Sequence, residues 1–136
     1  MSNERFEAGL RVRRAVLGEE RVAASLNGAS DFSRPLQELV TEYCWGAVWS
    51  RPGIERRTRS LINLGMLAAL NRQHELDLHV RGAINNGCTP EEIREVLLQV
   101  VIYCGVPAGM EAFRVAEAAL DSLGSLDGDN DAGSSE

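Results

Sequence analysis

Apolar residues recur along most of the chain at intervals of three and four, which is the spacing of one face of an α-helix. No segment alternates between apolar and polar positions beside turn residues, so the sequence predicts no β-strand. We therefore predict an all-α fold, a single-domain helical bundle of about six helices. The predicted helices cover 4–17, 35–50, 55–70, 71–86, 90–104 and the segment from Pro107 to about Leu123, with a short extra piece at 22–27.

The boundaries between the predicted helices carry recognisable stop and start signals. Asn85, Asn86 and Gly87 are typical of a helix end, where glycine accepts a left-handed backbone. Thr89 followed by Pro90 is typical of a helix start, because threonine caps the first free N–H groups and proline suits the first turn. Apolar residues surround the helix at 55–70, which predicts a central helix of the bundle or one held between subunits.

A length of 136 residues suits one domain, which we place at 1–124. Residues 125–136 form an acidic tail without bases, and such a composition predicts disorder. No basic stripe exceeds its neighbouring acids, so we expect no nucleic acid partner. No apolar run reaches about 18 residues, so we expect no membrane partner and a cytoplasmic protein.

The side-chain inventory excludes several kinds of chemistry. All 14 basic residues are arginine, so no lysine can form a Schiff base. The cysteines Cys44, Cys88 and Cys104 contain no C-x-x-C pair, which argues against a dithiol redox site and a zinc site. We predict that they are buried free thiols. Trp45 and Trp49 are predicted to pack in the core or at a subunit contact, and Tyr103 in the core with its hydroxyl at the edge.

The candidate chemistry lies on the helix at 71–86, which carries both histidines. Glu75 and His79 are four residues apart and share a face. A carboxylate beside an imidazole favours the protonated ring, which is the state of a general acid; the alternative is a surface ion pair. Arg56, Arg57 and Arg59 crowd the start of the preceding helix, where cations are unfavourable. They either pair with acids such as Glu55 or grip an anion.

Five sequence blocks resemble the carboxymuconolactone decarboxylase family over residues 4 to 120. They read R-F-E-A-G-L-R-V-R-R-A-V-L-G, Y-C-W-G-x-V-W-x-R-P-G-I-E-R-R-T-R-S-L, L-x-L-H-V-R-G-A-I-N-N-G, T-P-E-E-I-R-E-V-L-L-Q and I-Y-C-G-V-P. The resemblance implies an alkylhydroperoxidase-like fold assembled as a homo-oligomer, usually a hexamer. It also implies cofactor-independent loss of CO2 from 4-carboxymuconolactone, a small-molecule lactone dicarboxylate, giving the enol-lactone of β-ketoadipate in protocatechuate degradation.

The peroxidases that share this fold carry C-x-x-C-x-x-x-H on the corresponding helix. When that motif is aligned on His79, its cysteines fall on Arg72 and Glu75. The chain thus keeps the histidine and replaces the dithiol by a charged pair, which argues against disulfide-based peroxide reduction.

The resemblance implies roles for the candidate residues. His79 would deliver a proton or stabilise the oxyanion, and Glu75 would fix its ring or donate the proton itself. Arg72 is the leading clamp for a substrate carboxylate, with Arg59 and Arg51 as weaker candidates. Two alternatives remain open: a decarboxylase that acts on another lactone or a keto acid, and a non-catalytic oligomeric binding protein on the same scaffold.

Overall fold

The computed structural model describes residues 2–126, with side chains from Glu4 onward. Every regular element within that range is helical, so the predicted all-α class is confirmed. The elements are α1 (Ser2–Leu17), α2 (Glu19–Asn27), α3 (Arg34–Leu39), a π-helix (Val40–Trp49), α4 (Arg56–Ala69), α5 (Gln73–Asn85), α6 (Pro90–Cys104) and α7 (Val106–Ser122). Most of the predicted acidic tail, residues 127–136, lies outside the described range. No described helix combines the length and the apolar character that crossing a membrane requires.

The helices form two compact units, one up to Arg56 and one from Arg57 onward. The first contains α1 to α3 and the π-helix, and the second contains α4 to α7. The assignment of 1–124 to one domain remains a prediction.

In the first unit, α1 packs against the π-helix at very short range. A Cβ atom added to Gly9 would overlap the Thr41 carbonyl, and one added to Gly46 would overlap the Arg5 carbonyl. The indole rings of Trp45 and Trp49 stack with centroids 4.8 Å apart, and both are buried, which confirms them as core residues.

The prediction of one continuous α-helix over 35–50 is wrong, because its second part is a π-helix over Val40–Trp49. A π-helix pairs each N–H with a carbonyl five residues earlier. The sequence period that identifies helices does not reveal that change of pairing. The close contact with α1 at Gly46 is a tertiary feature that a single-helix pattern does not contain.

The second unit buries one continuous apolar core between its helices. The fully buried members include Leu64, Leu76, Val80, Ile93 and Leu97. The predicted signals between α5 and α6 are confirmed. Gly87 has φ 91°, the Thr89 hydroxyl accepts from the Glu92 N–H at 3.1 Å, and the Thr89 N–H donates to the Glu92 carboxylate at 2.9 Å.

Several burial predictions are wrong for one shared reason. The α4 residues Ile62, Met66 and Leu70 are 49%, 51% and 61% exposed, so α4 is not a central helix enclosed by its own chain, and the alternative of a helix held between subunits stays a prediction. Tyr103 is 82% exposed rather than in the core. Of the cysteines, Cys88 is buried, and the other two, Cys44 and Cys104, are exposed. Helical periodicity identifies the residues that share a face, but it does not tell whether another element covers that face.

Candidate active site

Helices α4 and α5 form an antiparallel pair that positions the candidate site. The connection is short, and Asn71 takes a left-handed backbone with φ 57° to reverse the chain. Two side-chain hydrogen bonds join the pair. Asn63 Nδ2 lies 3.1 Å from His79 Nδ1, and Asn86 Nδ2 donates to Ser60 Oγ at 2.8 Å. The first of these hydrogen bonds joins Asn63 of α4 to His79, the histidine of the predicted catalytic pair.

His79 is half-buried, and its surroundings favour the neutral ring. Burial lowers the pKa of His79 to about 4, and the negative charge of Glu75 raises it without compensating for the burial. The expectation that Glu75 keeps the ring protonated is therefore wrong. Glu75 is exposed, so water weakens its field, whereas the imidazole itself is largely removed from water.

The Asn63 contact leads to the same protonation state by an independent argument. An amide nitrogen donates and cannot accept, so Nδ1 of His79 must accept this hydrogen bond. A ring that accepts at Nδ1 carries its single proton on Nε2. His79 therefore presents a neutral N–H donor at Nε2.

The other predicted residues of this segment precede His79 in the chain. Glu75 is one turn before His79, and Arg72 precedes the first residue of α5. Seven residues separate Arg72 from His79, which corresponds to roughly 10 Å along the helix axis. Arg72 is exposed and borders a surface recess that is too small to hold a water molecule and that Gln73 and Glu111 also line.

The α4 arginines divide into two groups. Arg57 forms an ion pair with Glu92, which lowers the pKa of that carboxyl, so the acid-pairing alternative holds for Arg57 with a partner other than Glu55. Arg59 is half-buried and lies one turn before Asn63 on the same face of α4. Its role as a carboxylate clamp stays a prediction. Arg51 is exposed and belongs to the other compact unit.

Sequence reasoning missed Asn63. The available signal was a polar residue in the apolar run Leu61-Ile62-Asn63-Leu64 of a predicted helix. Such a residue commonly has a buried hydrogen-bond partner, but the sequence does not identify that partner. By contrast, Arg81 pairs with Asp77 four residues earlier on the same helix, with N···O distances of 3.2 and 3.3 Å.

A larger apolar cavity lies in the second unit between α4 and α6. Its volume is about 370 Å³. The lining residues are Leu61, Ile62, Gly65, Val96, Gln99, Val100, Tyr103 and Cys104. Its α4 residues lie on the side of the helix away from Asn63, at about 100° per residue. The cavity is therefore separate from the His79 neighbourhood.

Comparison with known proteins identifies a matching family and several similar decarboxylases. Residues 34–118 match the model of the Carboxymuconolactone decarboxylase family. The chain is 48% identical over 118 residues to the nitrosuccinic acid decarboxylase of Metarhizium robertsii, covering 87% of this chain and 82% of that protein. It is 43% identical over 121 residues to the 4-carboxymuconolactone decarboxylase of Acinetobacter baylyi, covering 89% and 90%. A 4-carboxymuconolactone decarboxylase of Pseudomonas putida is 42% identical over 43 residues, covering 32% of this chain and 90% of that protein.

Proposed function

Because the chain belongs to the carboxymuconolactone decarboxylase family, we propose that it removes CO2 from 4-carboxymuconolactone and forms the enol-lactone of β-ketoadipate. The family and the two long matches support a decarboxylase as the class of enzyme. The choice of substrate rests on one observation, the 43% identity to a 4-carboxymuconolactone decarboxylase over 89% of this chain. The reaction proceeds without metal or organic cofactor in this proposal.

In this reaction the protein must stabilise one released electron pair and supply one proton. When the C–C bond to the carboxylate breaks, its electrons delocalise through the ring alkene onto the lactone carbonyl oxygen. The resulting dienolate takes a proton at the carbon beside that carbonyl. The protein must therefore hold the second carboxylate, stabilise the developing oxyanion and admit a proton.

His79 stabilises the oxyanion in this proposal. Its neutral Nε2–H can donate to the lactone oxygen as negative charge develops there, and one such donor contributes about 3–4 kcal/mol of transition-state stabilisation. A neutral imidazole keeps its proton in that role, so another group protonates the carbon. Glu75 is exposed and one turn away, so it can pass a proton from water to the substrate.

Arg59 and Arg72 suit the carboxylate that remains. Arg59 lies on α4 one turn from Asn63, and Arg72 lies about two turns from His79 on α5. Guanidinium groups bind carboxylates through two parallel hydrogen bonds. In this proposal they grip the acetate arm, because binding the departing carboxylate would stabilise the ground state. Arg51, in the other unit, remains a weaker candidate.

A second candidate substrate is nitrosuccinic acid, since the chain is 48% identical to a decarboxylase of that acid. A nitro group can accept the electrons released with CO2, as a lactone carbonyl can. Both acids retain a carboxylate for an arginine to bind. The same donor and clamp could therefore serve either reaction.

The homo-oligomer implied by the resemblance is supported by uncovered apolar surface. The second unit exposes Ile102, Tyr103 and Met110 by 77%, 82% and 67%. Apolar patches of this kind typically mark interaction sites. We propose that further copies of the chain cover this surface, with a hexamer as the favoured assembly. Light scattering would test it, and Ile102→Glu should reduce the measured mass without loss of helical circular dichroism.

Steady-state CO2 release by the purified protein tests the proposed activity. We expect turnover of 4-carboxymuconolactone that survives treatment with a chelator, and a higher kcat/KM than for nitrosuccinate. The reverse preference would assign the second candidate. Saturable binding of the lactone without release of CO2 from either acid would instead indicate a binding protein.

A further inference from the structure

We propose that Asn63 is a positioning residue that holds His79 in the tautomer carrying its proton on Nε2. No sequence block singled out Asn63, and its role follows from its contact with the imidazole. The inference depends on the proposed function for its kinetic consequence only. The tautomer itself is a property of the protein without substrate.

The geometry supplies the reason. Asn63 Nδ2 and His79 Nδ1 lie 3.1 Å apart, the distance of an N–H donor from a ring nitrogen acceptor. With a proton on Nδ1, two N–H groups would face each other at that distance. The contact therefore disfavours both the Nδ1–H tautomer and the doubly protonated ring.

The neighbouring charges do not reverse this preference. Glu75 on α5 is the acid that acts on His79, and it favours protonation, but burial has the larger effect. Any effect of the Arg59 cation, one turn from Asn63 on α4, would add to this preference, because a positive charge disfavours an imidazolium. Leu76 and Val80, which are close to His79 on α5, carry no charge and pack into the apolar core.

The hydrogen bond from Asn63 orients the His79 ring. A free imidazole samples both tautomers and rotates about its side-chain bonds. A ring held at Nδ1 directs a single N–H at the position where the oxyanion forms. Preorganisation of this kind is worth far more in a partly dry site than an unrestrained donor. Loss of Asn63 should therefore lower kcat with little change in KM.

The direct test is nitrogen NMR of uniformly ¹⁵N-labelled protein at neutral pH. The chain has two histidines, so the spectrum contains two imidazoles, and His74→Gln assigns them. We expect His79 to show one protonated nitrogen at Nε2 and an unprotonated Nδ1. A signal pattern of an imidazolium, of the Nδ1–H tautomer or of an averaged ring would overturn the proposal.

Asn63→Asp gives a matched perturbation, because it keeps the size of the side chain and replaces the donor by an acceptor. We expect a proton on Nδ1 of His79 in this variant and a raised pKa of the ring, because the new carboxylate accepts from it. Asn63→Leu, which removes the amide donor without adding a charge, should lower kcat, because the ring is no longer held in one orientation. Asn63→Gln retains an amide donor and should recover part of the loss. A native tautomer in Asn63→Asp, or a native kcat in Asn63→Leu, would contradict the assignment.

Asn86→Asp is the control for the substitution itself. Asn86 joins the same two helices through Ser60, whose hydroxyl can turn to donate to the new carboxylate. This variant should keep the His79 tautomer and kcat. Should the protein release no CO2 from either candidate acid, the proposed function fails, while the NMR outcome still decides the tautomer.

Discussion

Arg13 in the first compact unit and His79 in the second are basic side chains withdrawn from water, and their hydrogen-bond partners differ in kind. In the first unit, Arg13 is 7% exposed and donates to Thr41 Oγ1 at 3.0 Å and to Gln37 Oε1 at 2.9 Å. In the second, His79 is half-buried and accepts from Asn63 Nδ2 at 3.1 Å. Neither group hydrogen-bonds to a carboxylate in these contacts.

The difference lies in the pKa from which each group starts. Burial lowers the pKa of Arg13, but an arginine remains protonated across the accessible range, so its neighbours are acceptors. Burial lowers the pKa of His79 to about 4, so the ring is neutral at pH 7. A neutral ring has one nitrogen that accepts, so its neighbour can be a donor. Burial thus leaves a permanent cation in one unit and creates a neutral hydrogen-bond donor in the other.

The largest expected effect comes from removing the imidazole. In the proposed reaction, His79→Ala should lower kcat by about 10²–10³-fold, because the oxyanion loses a positioned donor. His74→Ala is the matched control, because His74 is exposed on the same helix and has no proposed role. Steady-state CO2 release measures both. Unchanged turnover in His79→Ala would remove this residue from the mechanism.

The second prediction concerns stability against pH. The unfolded His79 has a pKa near 6.5 and the folded one about 4. Between these values the unfolded state binds the extra proton, so stability falls as pH falls from 6.5 to 4. The free energy of unfolding should fall by about 3 kcal/mol over this range. Arg13 contributes no slope there, because it stays charged in both states.

Urea unfolding at a series of pH values measures this loss. His79→Gln, which cannot titrate, should remove the corresponding part of the slope. An identical slope in the variant and the parent protein would contradict the lowered pKa.

The third prediction tests the buried cation. Arg13→Ala should reduce the free energy of unfolding by about 2 kcal/mol, because Gln37 loses a charged donor and the arginine stem loses its packing. Arg14→Ala, at the exposed neighbouring position, should change it by less than about 0.5 kcal/mol. If both variants lowered the free energy of unfolding equally in chemical denaturation, the buried contacts of Arg13 would not be stabilising the fold.

The smallest expected effect concerns Glu75. Its charge raises the pKa of His79 against the stronger influence of burial, so Glu75→Gln should lower that pKa further, by less than burial does. Asp77→Asn is the control, because Asp77 pairs with Arg81 on the same helix. NMR titration of the His79 ring measures the shift. A rise of the pKa in Glu75→Gln would contradict the assigned electrostatics.

Local features of the sequence were sufficient for much of the fold. The Thr89 cap and the turn at Gly87 were predictable, because their partners lie within a few residues. The π-helix at Val40–Trp49 was not, since it differs from an α-helix in hydrogen-bond pairing rather than in apolar spacing. Tyr103 was misplaced because an apolar helix face looks the same in sequence whether its own chain covers it or not.

The sequence alone determined the helical class, the helix ends and the spacing that puts Glu75 and His79 on one face, because each depends on neighbours within about a turn. The protonation state of His79, by contrast, is set by tertiary packing. That state depends on how far the ring is removed from water and on Asn63, a residue from another helix. Desolvation and cross-helix hydrogen bonds arise when segments pack, so local sequence spacing does not specify them.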